Sequence, residues 1–333
     1  MRTTIHTVAH AVGVSVTTVS RALNNTGRVS PATRKEIIRV AAELGYRAGD
    51  TFAPVQPGQR ALAIILPDMH NPFIPDILKG ARQATDSAGY LLLMADVGRD
   101  ERRGWSNLTG LRRKRVSGVV VVASAIHGRR LQAATEGIPV VCFDQDFGLP
   151  GASTIQADQR GGAQSATEHL WMLGHRDILH LAGPDDEPVA IARRQGFLEV
   201  LEKHGADTTD RVIPAGWTED DGYHATSELL QRGVRFTALL ASSDSCAIGA
   251  LSALDEQGVR VPDEVSVIGF DDIQLTNYTH PRLTTVRQDG VRLGAAAVST
   301  ILRQVESGFF AAPTHEVLPT ELIVRDSTSR RPV

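Results

Sequence analysis

Two sets of side chains in this sequence have the types and spacing to do chemistry. The first lies in a short basic stretch at the start of the chain. Thr17 and Arg21 are four residues apart, so on a helix they share one face, with Val16 and Ser20 beside them. A guanidinium placed there can make a bidentate contact to guanine, and Thr17 and Val16 can meet a thymine methyl. Ser15, Ser20, Asn24, Thr33 and Arg34 are typical phosphate partners. The second set follows apolar runs in the body of the chain: Asp68, Ser124, Asp144, Ser242 with Ser243, and Asp271. Such groups accept hydrogen bonds from ligand hydroxyls or amines. Arg193 supplies donors and offsets part of the negative charge, and Trp217 offers a flat apolar face to a sugar ring or heterocycle. An Asp after a strand also serves as a helix cap, and small helical bundles often carry a solvated basic face, so residue type alone does not separate these readings.

The sequence holds no P-loop, no GxSxG elbow, no HExxH and no GxGxxG after a strand. Carboxylates without a paired nucleophile or metal set suit reversible binding rather than turnover, so neither enzyme activity nor a cofactor is expected. His175 and His180 have no second ligand at zinc-like spacing, and the run Arg112, Arg113, Lys114, Arg115 reads as the solvated cationic end of a helix. Cys142 and Cys246 lie inside apolar runs and read as reduced, buried thiols, while Trp105 and Trp171 read as packing residues.

The elements that position the first set are marked by their punctuation. Ile5, Val8, Ala9 and Val12 fall on one helical face, between Thr4 as N-cap and Gly13 as stop. After a three-residue turn, Ser15 caps a second helix whose apolar side is Val19, Ala22 and Leu23. Ser30 and Pro31 open a third helix that buries Ile37, Val40, Ala41 and Leu44 and stops at Gly45. Helix, short turn, helix and buttressing helix describe a helix-turn-helix DNA reader whose second helix enters the major groove. Thr4 and His6, at the start of the first helix, complete the candidate DNA contacts. Charge agrees with this division: residues 1–47 carry a net +5, which leaves −8 on the rest of a chain whose formal charge is −3.

The body alternates apolar runs with helical stretches: ALAIILP, GYLLLMAD, VSGVVVVAS and IPVVCFD, then DILHLAGP, FTALLAS and EVSVIGFDD. Runs of this kind, flanked by helices, predict an α/β core of parallel sheets covered on both faces. The first series ends near Asp144 and a fresh one begins near Asp177, so two doubly wound lobes are expected, with the strand STIQAD and a helix from about Arg160 to Leu173 between them. In open parallel sheets ligands bind at the carboxyl ends of the strands, where the second set of residues falls. The chain has 333 residues, 42% hydrophobic and 22% charged, an ordinary globular composition. No window approaches a membrane span, and the expectation is a cytoplasmic protein with no membrane partner.

The strings VAHAVGVSVTTVSRALN, VSPATR and AAELGYR closely resemble the head of the lactose-repressor (LacI/GalR) family of bacterial transcription regulators. The resemblance continues through ILPDMHNPF, RVSGVVVVAS, PVVCFD, RRQGF, ASSD, VSVIGFDD and LTTVRQD, nearly the whole chain. It implies that Val16, Thr17 and Arg21 read bases, and that a homodimer binds a pseudo-palindromic double-stranded operator. It further implies a periplasmic-binding-protein-like core that holds a small-molecule effector. By register the effector roles fall on Phe73, Asp144, Arg193, Trp217 and Asp271, with Ser243 where the family often has Asn. Most relatives bind a sugar or its phosphate and a minority bind purines or nucleosides.

The expected organisation is a head over 1–47, a linker over 48–59, one core lobe over 60–158 and 288–318, and the other over 159–287 and 319–333. The linker departs from the family: Ala48 and Gly49 stand where a Pro-Asn pair is usual, and Pro54 and Pro57 fall where a hinge helix should run. The function expected is a transcriptional repressor tuned by a sugar-like effector. The alternative is a small-molecule binding protein whose head no longer reads DNA.

Overall fold

The computed structural model describes residues 5–23, 29–44, 60–66, 71–96, 116–122, 128–307 and 312–331. Contacts divide the chain into two compact units, Met1–Gly58 and Gln59–Val333.

The first unit holds α1 (Ile5–Val12), α2 (Val16–Leu23) and α3 (Pro31–Glu43). Val8, Ala9, Val19, Ala22, Ile37 and Ala41 form its core, with Val12, Val14, Val16 and Val29 packed against it. The turn between α1 and α2 uses Gly13 at φ +72°, a conformation that costs glycine little. Ser15 and Ser30 then act as caps: each hydroxyl accepts from the backbone N–H three residues on, at Thr18 and Thr33, both at 3.1 Å. One core assignment changes. Leu44 lies beyond the end of α3 and is exposed, because the register that buries Ile37, Val40 and Ala41 leaves no further turn to cover it. Thr4, Asn24, Gly45 and the linker 48–59 fall outside the described residues.

The second unit runs β1 (Ala61–Leu66), α4 (Ile74–Ser87), β2 (Leu91–Asp96), β3 (Gly118–Val121), α5 (Gly128–Thr135), β4 (Val140–Phe143), β5 (Ser153–Ala157) and α6 (Gln159–Met172). It continues with β6 (Ile178–Ala182), α7 (Pro188–Lys203), β7 (Val212–Pro214), α8 (Glu219–Gln231), β8 (Ala238–Ala241), α9 (Asp244–Glu256), β9 (Ser266–Asp271), β10 (Thr284–Arg287), α10 (Gly290–Glu306), β11 (His315–Leu318) and β12 (Glu321–Ile323). The apolar runs become strands buried on both faces, as in β1, β3, β4 and β8.

Two six-stranded sheets result, in the orders β11-β5-β4-β3-β1-β2 and β12-β10-β9-β8-β6-β7. The first is parallel throughout, and in the second only β12 runs antiparallel, against β10. The strand STIQAD is β5 and belongs to the first sheet, whereas the helix after it packs on the second through Ala163, Ala166 and Leu170. After β10 the chain returns: α10 packs on the first sheet through Leu293, Ala297, Val298 and Ile301, and β11 pairs with β5. A last crossing between β11 and β12 places the C-terminal segment on the second sheet. Glycine sets the closest helix contacts. A Cβ at Gly80 would meet the carbonyl of Val291 at 1.9 Å, and one at Gly222 the carbonyl of Cys246 at 1.9 Å, so α4 lies against α10 and α8 against α9 at backbone distance.

Candidate functional site

On the head, α2 opens at Val16, so Thr17 and Arg21 lie on its first one and a half turns. Both are exposed and neither makes a side-chain bond to another described residue; His6 on α1 is likewise exposed. Val16 is half-buried against the head core, which fixes the angle at which its neighbours project. Ser15 and Thr33 have a second engagement, since Ser15 Oγ bonds Thr18 and Thr33 Oγ1 bonds Ser30. Arg34 Nε is buried without a partner among the described residues. The two acidic residues of the head, Glu36 and Glu43, both pair with Arg39 on α3. These pairs are solvent-exposed and add little stability, but they confine the surplus positive charge to the other basic side chains.

In the second unit the two lobes present matching strand ends. Asp144 directly follows β4 and Asp271 closes β9, and both hold positive φ, at 57° and 119°. Non-glycine residues adopt this conformation at a cost that the surrounding structure must offset, a pattern concentrated at binding sites. Arg193, on the second turn of α7, lies between them. Its Nε donates to Gln159 Oε1 at 2.9 Å, Nη1 to the carbonyl of Ser242, and Nη2 to Asp271 Oδ1 at 3.4 Å. Its face stacks on the Phe270 ring, 3.6 Å from the centroid.

Two glutamines close the arrangement. Gln159 Nε2 donates to Asp144 Oδ1 at 3.2 Å and to Gln288 Oε1 at 2.8 Å, and Gln288 Nε2 donates to Asp271 Oδ1 at 2.6 Å. Gln159, Arg193, Asp271 and Gln288 thus form a ring of hydrogen bonds. Gln159 stands where the chain leaves the first sheet and Gln288 where it returns, so the ring spans these two crossings. Neither glutamine was among the residues expected from sequence. The available signal was an Asp beside each, Asp158 and Asp289, both of which cap the helix that follows.

Burial governs the electrostatics. It pushes the carboxyl of Asp144 upward against the Gln159 bond and Arg193, and raises Asp271 to about 6 against the pull of Arg193 and Gln288. Asp244, at the start of α9, is raised as well, by burial and then by Asp271; it accepts from Thr285 Oγ1 at 2.5 Å and from the Ile273 N–H at 2.8 Å. Burial also pulls the Arg193 guanidinium down, while Asp271, Asp144 and Asp244 hold it charged. Trp217 packs on Gly183, stands 5.4 Å from the Arg193 guanidinium, and donates Nε1–H to Glu187 Oε2 at 3.1 Å.

Among the other residues of the second set, Ser243 Oγ donates to the Trp217 carbonyl at 2.7 Å and accepts from the Cys246 N–H at 3.0 Å, so it caps α9 and anchors the Trp217 loop. Phe73 is buried, with its ring over Gly290. Asp68 and Ser124 lie outside the described residues, as do Trp105 and the 112–115 basic run. Cys142 and Cys246 are buried free thiols.

The chain matches two family models: bacterial regulatory proteins of the lacI family over residues 4–48, and a periplasmic binding protein-like domain over residues 167–328. It is 33% identical to the HTH-type transcriptional regulator DegA of Bacillus subtilis (strain 168), covering 99% of each chain. Among solved structures it is similar to a transcriptional regulator CelR–cellobiose complex, with TM-score 0.74 and 31% identity over 98% of this chain and 100% of that one. It is also similar to a lac repressor dimer bound to operator and the anti-inducer ONPF, with TM-score 0.74 and 27% identity over 99% of this chain and 100% of that one.

Proposed function

This chain belongs to the lacI family of bacterial regulatory proteins, and on that premise we propose that it is an operator-binding transcriptional repressor whose DNA affinity is set by a sugar-like effector held between the core lobes. The observation that carries the reading is the polar ring from Gln159 to Gln288. It joins the ends of β4 and β9 at two of the three lobe crossings, so a ligand that replaces any of its bonds acts on the relative position of the lobes. An effector works through its different affinity for two arrangements, and a coupling of about 1–3 kcal/mol changes operator affinity about 5–150-fold. The lobes correspond to residues 60–158 with 288–318 and 159–287 with 319–333, a division that sheet membership supports. Val16, Thr17 and Arg21 read base edges and Arg34 meets the backbone, while Asp144, Arg193, Trp217 and Asp271 hold the effector.

The working unit is a homodimer. Leu91 and Met94 on edge strand β2, with Leu275 and Tyr278 just after β9, are large exposed apolar side chains that a second copy would cover. Among the described residues no helix is long and apolar enough to cross a membrane, in accord with a cytoplasmic regulator.

The test is selection of bound duplexes from a random pool by the full chain, followed by anisotropy titration of the winners with and without cellobiose, ribose and related sugars. Pseudo-palindromic winners with a steep loss of affinity in salt, and release or tightening by a sugar, are expected. Absence of any selected sequence would support a binding protein with an inert head instead.

A further inference from the structure

We propose that the cleft selects an uncharged, polyhydroxylated ligand and excludes the phosphorylated form of the same molecule. This rests on the effector reading above and adds the ligand's charge class. Asp144, Asp271 and Asp244 surround a single guanidinium, and Glu187 adds a fourth carboxylate through its bond to Trp217. The neighbouring arginines are engaged elsewhere: Arg287 and Arg325 both pair with Asp272, and Arg194 pairs with Asp185. Among the described residues, therefore, Arg193 is the one cation bonded to the ring, and each of its three nitrogens already donates to a protein acceptor. A phosphate group would bring about −1.5 to −2 charges and three more acceptor oxygens to a site already rich in both.

Among the described residues the ring offers both an open acceptor and open donors. Both bonds to Asp271 land on Oδ1, which leaves Oδ2 with no partner among the described residues on a side chain only 11% exposed. Three of the five N–H groups of Arg193 are used, so it retains donors for a ligand acceptor close to that free oxygen. A hydroxyl is donor and acceptor at once and matches the pair, whereas an ammonium matches only the carboxylate and a phosphate only the guanidinium. Burial raises the carboxyls of Asp144, Asp271 and Glu187, and each is left with few charge-stabilising donors to offset it.

The experiment is a calorimetric and thermal-shift comparison of matched sets on the full chain: ribose with ribose phosphate, glucose with glucosamine and glucose phosphate, cellobiose, and adenosine with its monophosphate. The expected result is that any binder is neutral and that its phosphate binds about 100-fold more weakly or worse, since juxtaposed like charges cost several kcal/mol. Glu187→Gln keeps an acceptor for Trp217 and removes one charge, so it is expected to narrow that ratio several-fold. A phosphorylated or amino compound that binds as tightly as its neutral parent, or a ratio unmoved by Glu187→Gln in a variant of unchanged melting temperature, overturns the selectivity alone. If no compound of any charge binds, the effector reading falls and the selectivity falls with it.

Discussion

Asp271→Asn should stabilise the ligand-free protein while abolishing its response to effector. Burial lifts the Asp271 carboxyl from its ordinary 3.8 to about 6, even with Arg193 and Gln288 pulling it back. A displacement of that size corresponds to about 3 kcal/mol of stability lost at neutral pH. Because the folded-state value is the higher one, the folded protein holds a proton that the unfolded chain has already released. The penalty is therefore absent near pH 3.8, grows as pH rises, and is complete above about pH 6. Asparagine keeps an oxygen to accept from Gln288 and tolerates the positive φ at this position. That displacement already includes the attraction to Arg193, and the amide brings two donors beside the guanidinium, so the net gain expected is about 1–2 kcal/mol at neutral pH. Urea unfolding midpoints of the ligand-free variant and parent, taken from about pH 4 to 8, read this directly. A variant less stable than its parent at neutral pH, or a gain that does not shrink in acid, would refute the view that this carboxylate is held in place for a ligand rather than for the fold.

Other perturbations separate the two units. Arg21→Ala should weaken operator binding by about 1–3 kcal/mol and relax base preference at one position per half-site, measured by anisotropy on single-base operator variants, with core melting unchanged. His180, buried in β6 with Nδ1 bonded to the Leu240 carbonyl and Nε2 without a partner among the described residues, is held down to about 4, mainly by burial. Its folded value lies below the ordinary 6.5, so stability should fall as pH drops from 6.5 toward 4, by up to about 3 kcal/mol, a slope opposite in sign to that from Asp271. His180→Leu should flatten that slope in acid titrations of unfolding. Gly222→Ala forces a methyl into the Cys246 carbonyl and should cost about 2 kcal/mol or more in urea unfolding. Tyr278→Arg should lower the sedimentation coefficient toward that of a monomer and weaken operator binding with it, because Tyr278 is 68% exposed on the face assigned to the partner.

The head was almost fully legible because its signals are local. The periodicity of Val8, Ala9, Val19, Ala22 and Ile37 and the capping serines Ser15 and Ser30 act within a few residues, and the structure uses them as read. The buried strands of the body were legible for the same reason. The strands not read from sequence were β7, β10, β11 and β12, which are all short, and the last three mix polar with apolar residues. In β10 the polar residues Thr284 and Thr285 are fully buried and satisfied by bonds to Ser327, Thr328 and Asp244, partners 41 or more positions away in sequence. No local pattern announces a threonine whose partner is that distant.

The site divides along the same line. Residue chemistry, strand-end position and the family register placed Asp144, Arg193 and Asp271 among the candidates from sequence, and helical spacing assigned Thr17 and Arg21 to one face. Only the tertiary structure decided that the carboxylates share one guanidinium, that Ser243 caps α9, and that Gln159 and Gln288 complete a ring at two of the three lobe crossings. The physical reason is range. Helix caps, faces and buried runs follow from interactions within one element, while the charge state and bonding of a buried polar group depend on every element packed around it.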